Sequence, residues 1–287
     1  MRTGRIGVLV AIMTLPLPTL ADDHSTNTQV PDRVIAQQRE ALARNTEGAG
    51  FGPQSPRDID SVAGNNARVF SLAPAYGQMN LCNIHFHTHA EHRGGQFTTH
   101  AGNGDGRGYG TGYRYSGELT NAELTPIAQP VCPTDNGALS PGDTIELHYV
   151  YSTAQVQPGP TLGACLSETT GNPQLRVETQ VYVLVNDTTA RNFIELTEVG
   201  MVAGYHQALN IPDDTGQPIQ YAGSTTGPDY NEQGSPFQVT WSVRPEVLRV
   251  DIASVARWCR DNVFDEAGGH GVRNLVTDPD LLSPIDS

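Results

Sequence analysis

The chain of 287 residues contains no lysine: all 17 basic residues are arginine, and 31 acidic residues give a formal net charge of −14 at pH 7. This negative charge repels the phosphates of nucleic acids and the headgroups of anionic lipids. The absence of lysine also excludes the side chain that contacts phosphate in the common nucleotide-binding loops. We therefore expect no nucleic-acid partner.

Long apolar segments are absent after the N-terminus. Two arginines precede an apolar run over residues 6–20, and Thr19-Leu20-Ala21 is typical of a signal-peptide cleavage site. The run is short for a membrane span and contains two prolines. We predict that residues 1–21 are a signal peptide, that the mature protein is periplasmic or secreted, and that it does not insert into a membrane. Cleavage removes two arginines and no acid, so the net charge becomes −16.

Cysteine is scarce. The four cysteines are widely spaced, without a C-x-x-C pair: Cys82, Cys132, Cys165 and Cys259. In an oxidising compartment this spacing favours two disulfides over a thiolate metal site. Three pairings are possible, and we favour Cys132 with Cys165, which bracket the predicted strand at 145–151, and Cys82 with Cys259.

The predicted elements are mostly short strands. After an N-terminal arm, Asp32 is the expected N-cap of a helix over residues 33–44, and a second helix is predicted over 250–261. Between them lie six segments rich in Val, Ile, Tyr, Phe and Thr, which predict strands at 68–72, 83–88, 145–151, 176–185, 192–197 and 236–243. No internal repeat or linker divides the chain. Residues 22–49 are therefore expected to be an arm and helix, and residues 50–287 one domain.

Two glycine-rich segments predict loops. Six glycines alternate with other residues between His100 and Gly112, but no lysine and no helix signal follow them, so we predict a long surface loop rather than a phosphate-binding loop. The tail over residues 267–287 is rich in Gly, Pro and Asp and is expected to wrap the surface.

Histidines are concentrated in one predicted strand. Alternation places Asn83, His85, His87 and His89 on one face and the apolar side chains on the other. A neutral imidazole is the commonest protein ligand for zinc and similar metals. The segment therefore predicts a metal site, against the alternative of a polar surface strand without chemistry.

A second strand supplies a further histidine. Glu146, His148 and Val150 share one face of the predicted strand at 145–151. A buried glutamate is costly unless it is paired, and ligand histidines usually donate their second N–H to such a carboxylate. Glu146 is expected to do this for His148 or for a histidine on the adjacent strand. Three histidines with an open fourth position are typical of catalytic zinc.

Six motifs in order resemble those of alpha-type carbonic anhydrases and of their shorter delta-class relatives. They extend over roughly residues 50 to 260: Gly52-Pro-Gln-Ser-Pro-Arg-Asp-Ile59, Asn83-Ile-His-Phe-His87, Glu91-His92, Glu146-Leu-His148, Tyr221-Ala-Gly-Ser-Thr-Thr-Gly-Pro228 and Val239-Thr-Trp241. The resemblance implies a single, mainly β domain with a central, largely antiparallel sheet and a few peripheral helices. It also implies reversible hydration of CO₂ to bicarbonate by zinc-bound hydroxide, and it favours the delta class.

The resemblance also implies roles for individual residues. Zinc would be held by His85, His87 and His148, although cobalt or another divalent ion suits the same nitrogens. Thr226 falls on the position whose hydroxyl orients the attacking oxygen and donates to a carboxylate, which would be Glu91. The remaining expected roles are histidine partners and pocket lining: Asn83 and Glu146 for the first, Val150 and Thr225 for the second.

The chain departs from the family pattern in its proton relay and its pocket. Gly64-Asn-Asn-Ala-Arg68 resembles the usual relay region without its histidine, and Thr225 replaces an apolar residue. His89, His92 or His100 could relay protons, although a surface or packing role suits each of them better. We assign no role to the other three histidines outside these segments, His24, His206 and His270.

Two other functions fit part of the sequence. The spacing His85-x-His87-x₃-Glu91 occurs in cupin barrels, but His148 lies too far from Gly142 for the second cupin motif, and the motifs at 54–56, 224–226 and 239–241 stay unexplained. A periplasmic metal-binding protein without catalysis needs neither Thr226 nor Glu91.

Overall fold

The computed structural model describes residues 29–285, so the predicted signal peptide lies outside the described residues. These residues form three α-helices: α1 (Asp32–Thr46), α2 (Phe193–Leu196) and α3 (Ile252–Trp258). They also form eleven strands: β1 (Asn80–Thr88), β2 (Thr99–His100), β3 (Tyr113–Arg114), β4 (Val131–Thr134), β5 (Gly137–Leu139), β6 (Thr144–Ser152), β7 (Leu175–Val185), β8 (Val199–Val202), β9 (Tyr205–Ala208), β10 (Ile219–Ser224) and β11 (Gln238–Asp251). No helix in this part of the chain is both long and apolar enough to span a membrane.

Five strands form the central sheet in the order β1-β6-β7-β11-β10. Neighbouring strands are antiparallel except β7 and β11, which are parallel. Every residue of β7 is buried, as expected for the middle strand of a sheet covered on both faces. The prediction of a mainly β chain with a central, largely antiparallel sheet and few helices is confirmed.

The alternation of side chains divides the core between the two faces of the sheet. Leu147 and Tyr149 of β6 join a hydrophobic cluster beneath α2 and α3, which contains Trp258. Val150, on the opposite face, packs in a second cluster with Val177 and Trp241. His148 shares this second face, and the functional site is built there.

Two strand predictions are wrong. Residues 68–72 contain no strand. Most of 192–197 forms α2, because the Asn192 side chain accepts a hydrogen bond from the N–H of Ile194 at 3.0 Å and caps the helix. Phe193 is then buried with its ring centroid 5.1 Å from that of Trp258, a tertiary contact that overrides β propensity.

The helix ends differ from the predictions by small shifts. Pro31 occupies the N-cap of α1 and Asp32 is its first helical residue. Strand β11 continues through Pro245, with a register shift against β7 between Val243 and Val247, and reaches Asp251. The helix predicted from residue 250 therefore begins only at Ile252.

All four cysteines form disulfides, which confirms the prediction of two bridges. The pairs are Cys82–Cys165 and Cys132–Cys259, with Cα–Cα distances of 5.0 and 5.6 Å. The favoured pairing is wrong. Cys82 lies in β1 beside the loop that carries Cys165, whereas β4, with Cys132, packs against α3, which ends beside Cys259.

The glycine-rich segment is a loop, but it is not purely a surface loop. All six alternating glycines have positive φ, and Gly104 and Gly108 are buried. The Gly104 carbonyl accepts a hydrogen bond from the N–H of Val30 beside α1, and the Gly108 carbonyl accepts one from Val272, each at 2.9 Å. A Cβ at Gly108 would lie 2.7 Å from the Val272 oxygen, so this approach requires glycine.

The start of the tail passes along β1 instead of wrapping the surface. His270 donates its N–H to the Phe86 carbonyl at 2.9 Å and accepts from the N–H of Thr88 at 3.0 Å. Residues 270–273 are thereby held beside β1, which brings backbone groups from the C-terminus to the site.

Candidate metal centre and pocket

Three histidines converge on the second face of the sheet. The antiparallel register of β1 and β6 places His85 directly opposite His148, and His87 lies two residues further along β1. Nε2 of His85 is 3.3 Å from Nδ1 of His148, and the three histidines offer nitrogens that all lie within 4.8 Å of one another. A set of three imidazole nitrogens at this spacing can hold one metal ion.

Each ring uses its other nitrogen in a hydrogen bond. Nδ1 of His85 lies 2.7 Å from Oδ1 of Asn83, Nδ1 of His87 lies 3.0 Å from the Gly271 carbonyl, and Nε2 of His148 lies 2.7 Å from Oε1 of Glu146. All three partners are acceptors, so these nitrogens carry the hydrogens. The lone pairs of the remaining nitrogens face one another.

One of these three nitrogens is unsatisfied. Nε2 of His87 is buried and has no hydrogen-bond partner. A buried polar atom without a partner is costly, and a metal ion bound between the three rings satisfies it. The donor set therefore fits a metal such as zinc, which the cysteines cannot bind because both pairs are oxidised.

Burial keeps the three rings neutral. It lowers the pKa of His85 well below its ordinary value, lowers that of His87 to about 4, and lowers that of His148. The neighbouring histidines repel a proton on His85 and on His87 and add to the effect. Only a neutral imidazole can bind a metal, so the site has the required protonation at neutral pH.

A buried network fixes Glu146 behind His148. Oε1 of Glu146 also lies 2.7 Å from Nδ1 of His92, and Oε2 accepts from the backbone N–H of His92 at 3.0 Å. Burial opposes ionisation of Glu146, but His92 and His148 together hold the pKa of its carboxyl well below its ordinary value. Glu146 thus serves His148 and a histidine outside the two ligand strands at once.

This hydrogen-bond network continues to Tyr221 and Ser55, which we did not predict as site residues. Nε2 of His92 lies 2.7 Å from the Tyr221 hydroxyl, which lies 3.1 Å from Oγ of Ser55. Both residues belong to motifs that carry the family resemblance, and that context was the available signal.

Glu91 and Thr226 lie together beside the histidines. Oε1 of Glu91 accepts from the backbone N–H of Arg273 at 3.0 Å and is 3.6 Å from Nδ1 of His87. Oε2 is buried and has no hydrogen-bond partner, and the Thr226 side chain favours the ionised form of the carboxyl by lowering its pKa. Burial still raises the pKa of Glu91 above its ordinary value.

The pocket over the histidines has a volume of about 360 Å³. Its wall includes the expected Val150 and Thr225, together with apolar side chains of the second cluster, among them Leu175, Val177, Val239 and Trp241. The Thr225 hydroxyl is hydrogen-bonded to Oγ of Ser235, so this residue does not leave an unpaired polar group at the pocket wall.

The three histidines considered as relays lie outside this pocket. His89 follows the end of β1 with φ 69°, which breaks the alternation, and its Nδ1 lies 2.8 Å from the Thr111 carbonyl. His92 is fully buried in the Glu146 network, and the exposed His100 lines a separate cavity near α1. Our assignment of His89 to the ligand face is therefore wrong.

His270, to which the sequence analysis assigns no role, lines the pocket. Its ring centroid is 5.4 Å from that of His85 and 5.8 Å from that of His87, and its Nε2 lies 2.7 Å from Oε2 of Glu266. The hydrogen bond to Glu266 raises the pKa of His270. No local pattern marks this residue, because the pairing of the tail with β1 brings it here.

A second group could also hold a metal: Glu91, Glu146 and His148 lie equally close. Both oxygens of Glu146 already accept hydrogen bonds, from His92 and His148, so this carboxylate has fewer free lone pairs. The three histidines are the better donor set.

One protein-family model matches the sequence of this chain. A sequence model described as delta carbonic anhydrase matches residues 76–254. No curated protein matches the chain.

Among solved structures, several carbonic anhydrases are similar to this chain at low sequence identity. An alpha-carbonic anhydrase from Thermovibrio ammonificans, in complex with sulfanilamide, is 18% identical with a TM-score of 0.27, over 78% of this chain and 84% of that one. A carbonic anhydrase from Chlamydomonas reinhardtii, in complex with acetazolamide, is 17% identical with a TM-score of 0.30, over 83% and 90%. An alpha-carbonic anhydrase from Photobacterium profundum is 16% identical with a TM-score of 0.26, over 83% and 92%. Identities and TM-scores this low do not assign a function by themselves.

Proposed function

The chain belongs to the delta carbonic anhydrase family and is a carbonic anhydrase, and on this premise we propose that it hydrates CO₂ with a zinc ion held by His85, His87 and His148. The observation that carries the proposal is the convergence of three neutral imidazole nitrogens whose rings are each fixed by a second hydrogen bond. When bound, zinc supplies the Lewis acidity that makes water a nucleophile near neutral pH.

Thr226 and Glu91 orient the attacking oxygen. An ionised Glu91 only accepts hydrogen bonds, so the Thr226 hydroxyl donates to it and its oxygen is left to accept from the nucleophile. The lone pair of the nucleophile then points towards the CO₂ carbon. The N–H of Arg273 favours the carboxylate form of Glu91 that this direction requires.

The apolar wall receives CO₂. Val150 and Val177 have no polar side-chain atoms, and the Nε1–H of Trp241 already donates to the Ser224 carbonyl at 3.0 Å, so this wall offers no free hydrogen bond and suits the uncharged substrate. The Thr225 hydroxyl is occupied by Ser235 and leaves the wall apolar in effect. The charged product, bicarbonate, is less favourable there and is released when water returns.

Export from the cytoplasm forms part of the proposal. The N-terminal sequence has the features of a signal peptide, and two disulfides are typical of an oxidising compartment. Membership of the carbonic anhydrase family removes the basis for the cupin interpretation.

The test is the variant His148→Ala. Metal analysis should find most zinc lost, and stopped-flow CO₂ hydration should find no activity above the uncatalysed rate, because two histidines bind zinc far more weakly than three. His206→Ala is the matched control, since His206 lies on the β8–β9 hairpin, and it should keep both. Full zinc occupancy in His148→Ala would refute the ligand set. A parent protein that holds zinc without hydrating CO₂ would support a metal-binding protein without catalysis.

A further inference from the structure

Residues 157–166, which we call the mouth loop, form the middle of the connection between β6 and β7, at the edge of the pocket. Thr161 and Leu162 of this loop line the pocket that contains the three histidines. The backbone at Thr161 has φ 58°, and its Oγ1 accepts from the N–H of Gly163 at 3.1 Å. The loop is therefore held in one conformation at the point where it meets the pocket.

Three links join the mouth loop to β1, which carries His85 and His87 and which we call the ligand strand. The disulfide Cys82–Cys165 connects the end of the loop to β1, and both of its residues are fully buried. The N–H of Gly159 donates to the Cys82 carbonyl, and Nδ2 of Asn83 donates to the Gly159 carbonyl, each at 3.0 Å. The loop and the strand thus contact each other at two consecutive residues of β1.

The Asn83 amide transmits this contact to a metal ligand. Because its NH₂ group is engaged by the Gly159 carbonyl, its oxygen faces Nδ1 of His85 at 2.7 Å. The oxygen accepts the hydrogen of Nδ1 and leaves Nε2 of His85 free for the metal. Without the Gly159 carbonyl, the amide can rotate and present its NH₂ group to His85 instead.

We propose that the Cys82–Cys165 disulfide is a positioning element of the metal site, which acts through Gly159 and Asn83 on His85. This inference rests on the proposed function, since it takes His85 as a ligand. The covalent bond keeps Gly159 against β1, whereas hydrogen bonds alone leave a long loop free to move away. The hydroxyl of Ser152 supports the same end of the loop by donating to the Cys165 carbonyl at 2.7 Å.

The expected effect is on metal affinity. Loss of the outer partner of a ligand typically weakens metal binding by about 10- to 100-fold. A disulfide that only stabilises the fold leaves the zinc affinity of the folded protein unchanged.

The two disulfides provide a matched comparison. Zinc affinity is measured by competition with a chromophoric chelator for the parent, for Cys82→Ala/Cys165→Ala and for Cys132→Ala/Cys259→Ala, each shown to be folded by circular dichroism. The first variant should bind zinc at least about tenfold more weakly, and the cobalt-substituted protein should show an altered visible spectrum. The second variant should match the parent in both. Equal zinc affinities in all three proteins would overturn the proposal.

Asn83→Ala tests the route. If the disulfide acts through Asn83, removing Cys82 and Cys165 in the Asn83→Ala background should cause no further loss of zinc affinity. Additive losses would overturn this route. Asn83→Ala keeps both disulfides, so it also gives a test if the cysteine variant does not fold: zinc binding should weaken by at least about tenfold, and an unchanged affinity would contradict the proposal.

His85→Ala separates this inference from the proposed function. Retention of zinc in His85→Ala would refute the ligand set itself. Loss of zinc there, together with parent-like affinity in Cys82→Ala/Cys165→Ala, would refute only the positioning role of the disulfide.

Discussion

At the scale of single residues, the acceptor behind each histidine ring decides which ring nitrogen faces the site. In the proposed metal site, His87 would bind through Nε2 because the Gly271 carbonyl accepts from its Nδ1, and His148 would bind through Nδ1 because Glu146 accepts from its Nε2. The same residue type thus presents different nitrogens, according to which acceptor lies behind the ring. In the proposed function, the carboxylate of Glu91 sets the direction of the Thr226 hydroxyl in the same way.

Replacing Thr226 by Ala should leave zinc binding and folding intact but lower the CO₂ hydration rate by about two orders of magnitude. The physical reason is that the nucleophile loses the acceptor that orients its lone pair. Stopped-flow kinetics on metal-analysed protein measures the effect. Thr226→Ser keeps the hydroxyl and should retain much of the rate. A Thr226→Ala protein as fast as the parent would show that this hydroxyl does not orient the nucleophile.

Replacing Glu91 by Gln should also lower the hydration rate while zinc remains bound. A neutral amide can donate as well as accept, so the direction of the hydrogen bond from Thr226 is no longer fixed. Glu266→Gln is a suitable control, because Glu266 lines the same pocket but contacts His270 and not Thr226. Full activity in Glu91→Gln would contradict the orienting role of the carboxylate.

At the scale of secondary-structure elements, the ligand strand is supported from three directions. Strand β6 fixes the register that opposes His85 and His148, the mouth loop holds Asn83, and the tail holds Thr88 and Phe86 through the backbone of His270. Only the first of these contacts is a ladder of the central sheet. The other two are irregular segments: the Gly159 carbonyl of the mouth loop holds Asn83, the partner of His85, and the Gly271 carbonyl of the tail is the partner of His87.

The tail should therefore be sensitive to a small change at Gly271. A Cβ there would lie 3.1 Å from the carbonyl carbon of Gly108 and 3.2 Å from its oxygen, and relief of this contact shifts the backbone whose carbonyl is the partner of His87. Gly271→Ala is expected to weaken zinc binding by about tenfold, measured by chelator competition.

The control for this change is Gly171→Ala. Nothing lies within 4 Å of a Cβ at Gly171, so its zinc affinity should equal that of the parent. Parent-like affinity in Gly271→Ala as well would mean that the carbonyl does not position His87.

At the scale of the whole molecule, the two disulfides divide between the two faces of the sheet. Cys132 belongs to the hydrophobic cluster beneath α2 and α3, whereas Cys82 and Cys165 belong to the cluster on the side of the site. The Cys132–Cys259 bridge closes a loop with a sequence separation of 127, and that of Cys82–Cys165 is 83. Both loops are long enough for a large entropic contribution to stability.

Removing the bridge of the first cluster by Cys132→Ala/Cys259→Ala should lower the free energy of unfolding by about 2–5 kcal/mol, chiefly because the unfolded chain gains conformational freedom. Denaturant unfolding monitored by circular dichroism gives this difference. CO₂ hydration per folded, zinc-loaded molecule should stay at the parent level. An unchanged unfolding free energy would show that the bridge contributes nothing to stability.

Much of the site could be predicted because its histidines follow short-range sequence patterns. The spacing His85-x-His87 and the sequence Glu146-Leu-His148 place their side chains on one face of a strand through the period of two, whatever lies elsewhere in the chain. Strand propensity was correct for four of the six predicted strands. It succeeded for the buried β6 and β7, and it failed at residues 192–197, where a cap at Asn192 and packing of Phe193 produce a helix.

What the sequence by itself determined is thus the placement of His85, His87 and His148 on their strands, the engagement of all cysteines in disulfides and the acidic character of the chain. Only the tertiary structure decided which cysteines pair, that His270 lines the pocket, and that the Gly271 carbonyl lies behind His87. The physical reason is range. Strand alternation depends on neighbouring residues alone, whereas these contacts join segments far apart in sequence and depend on how loops and the tail pack against the completed sheet.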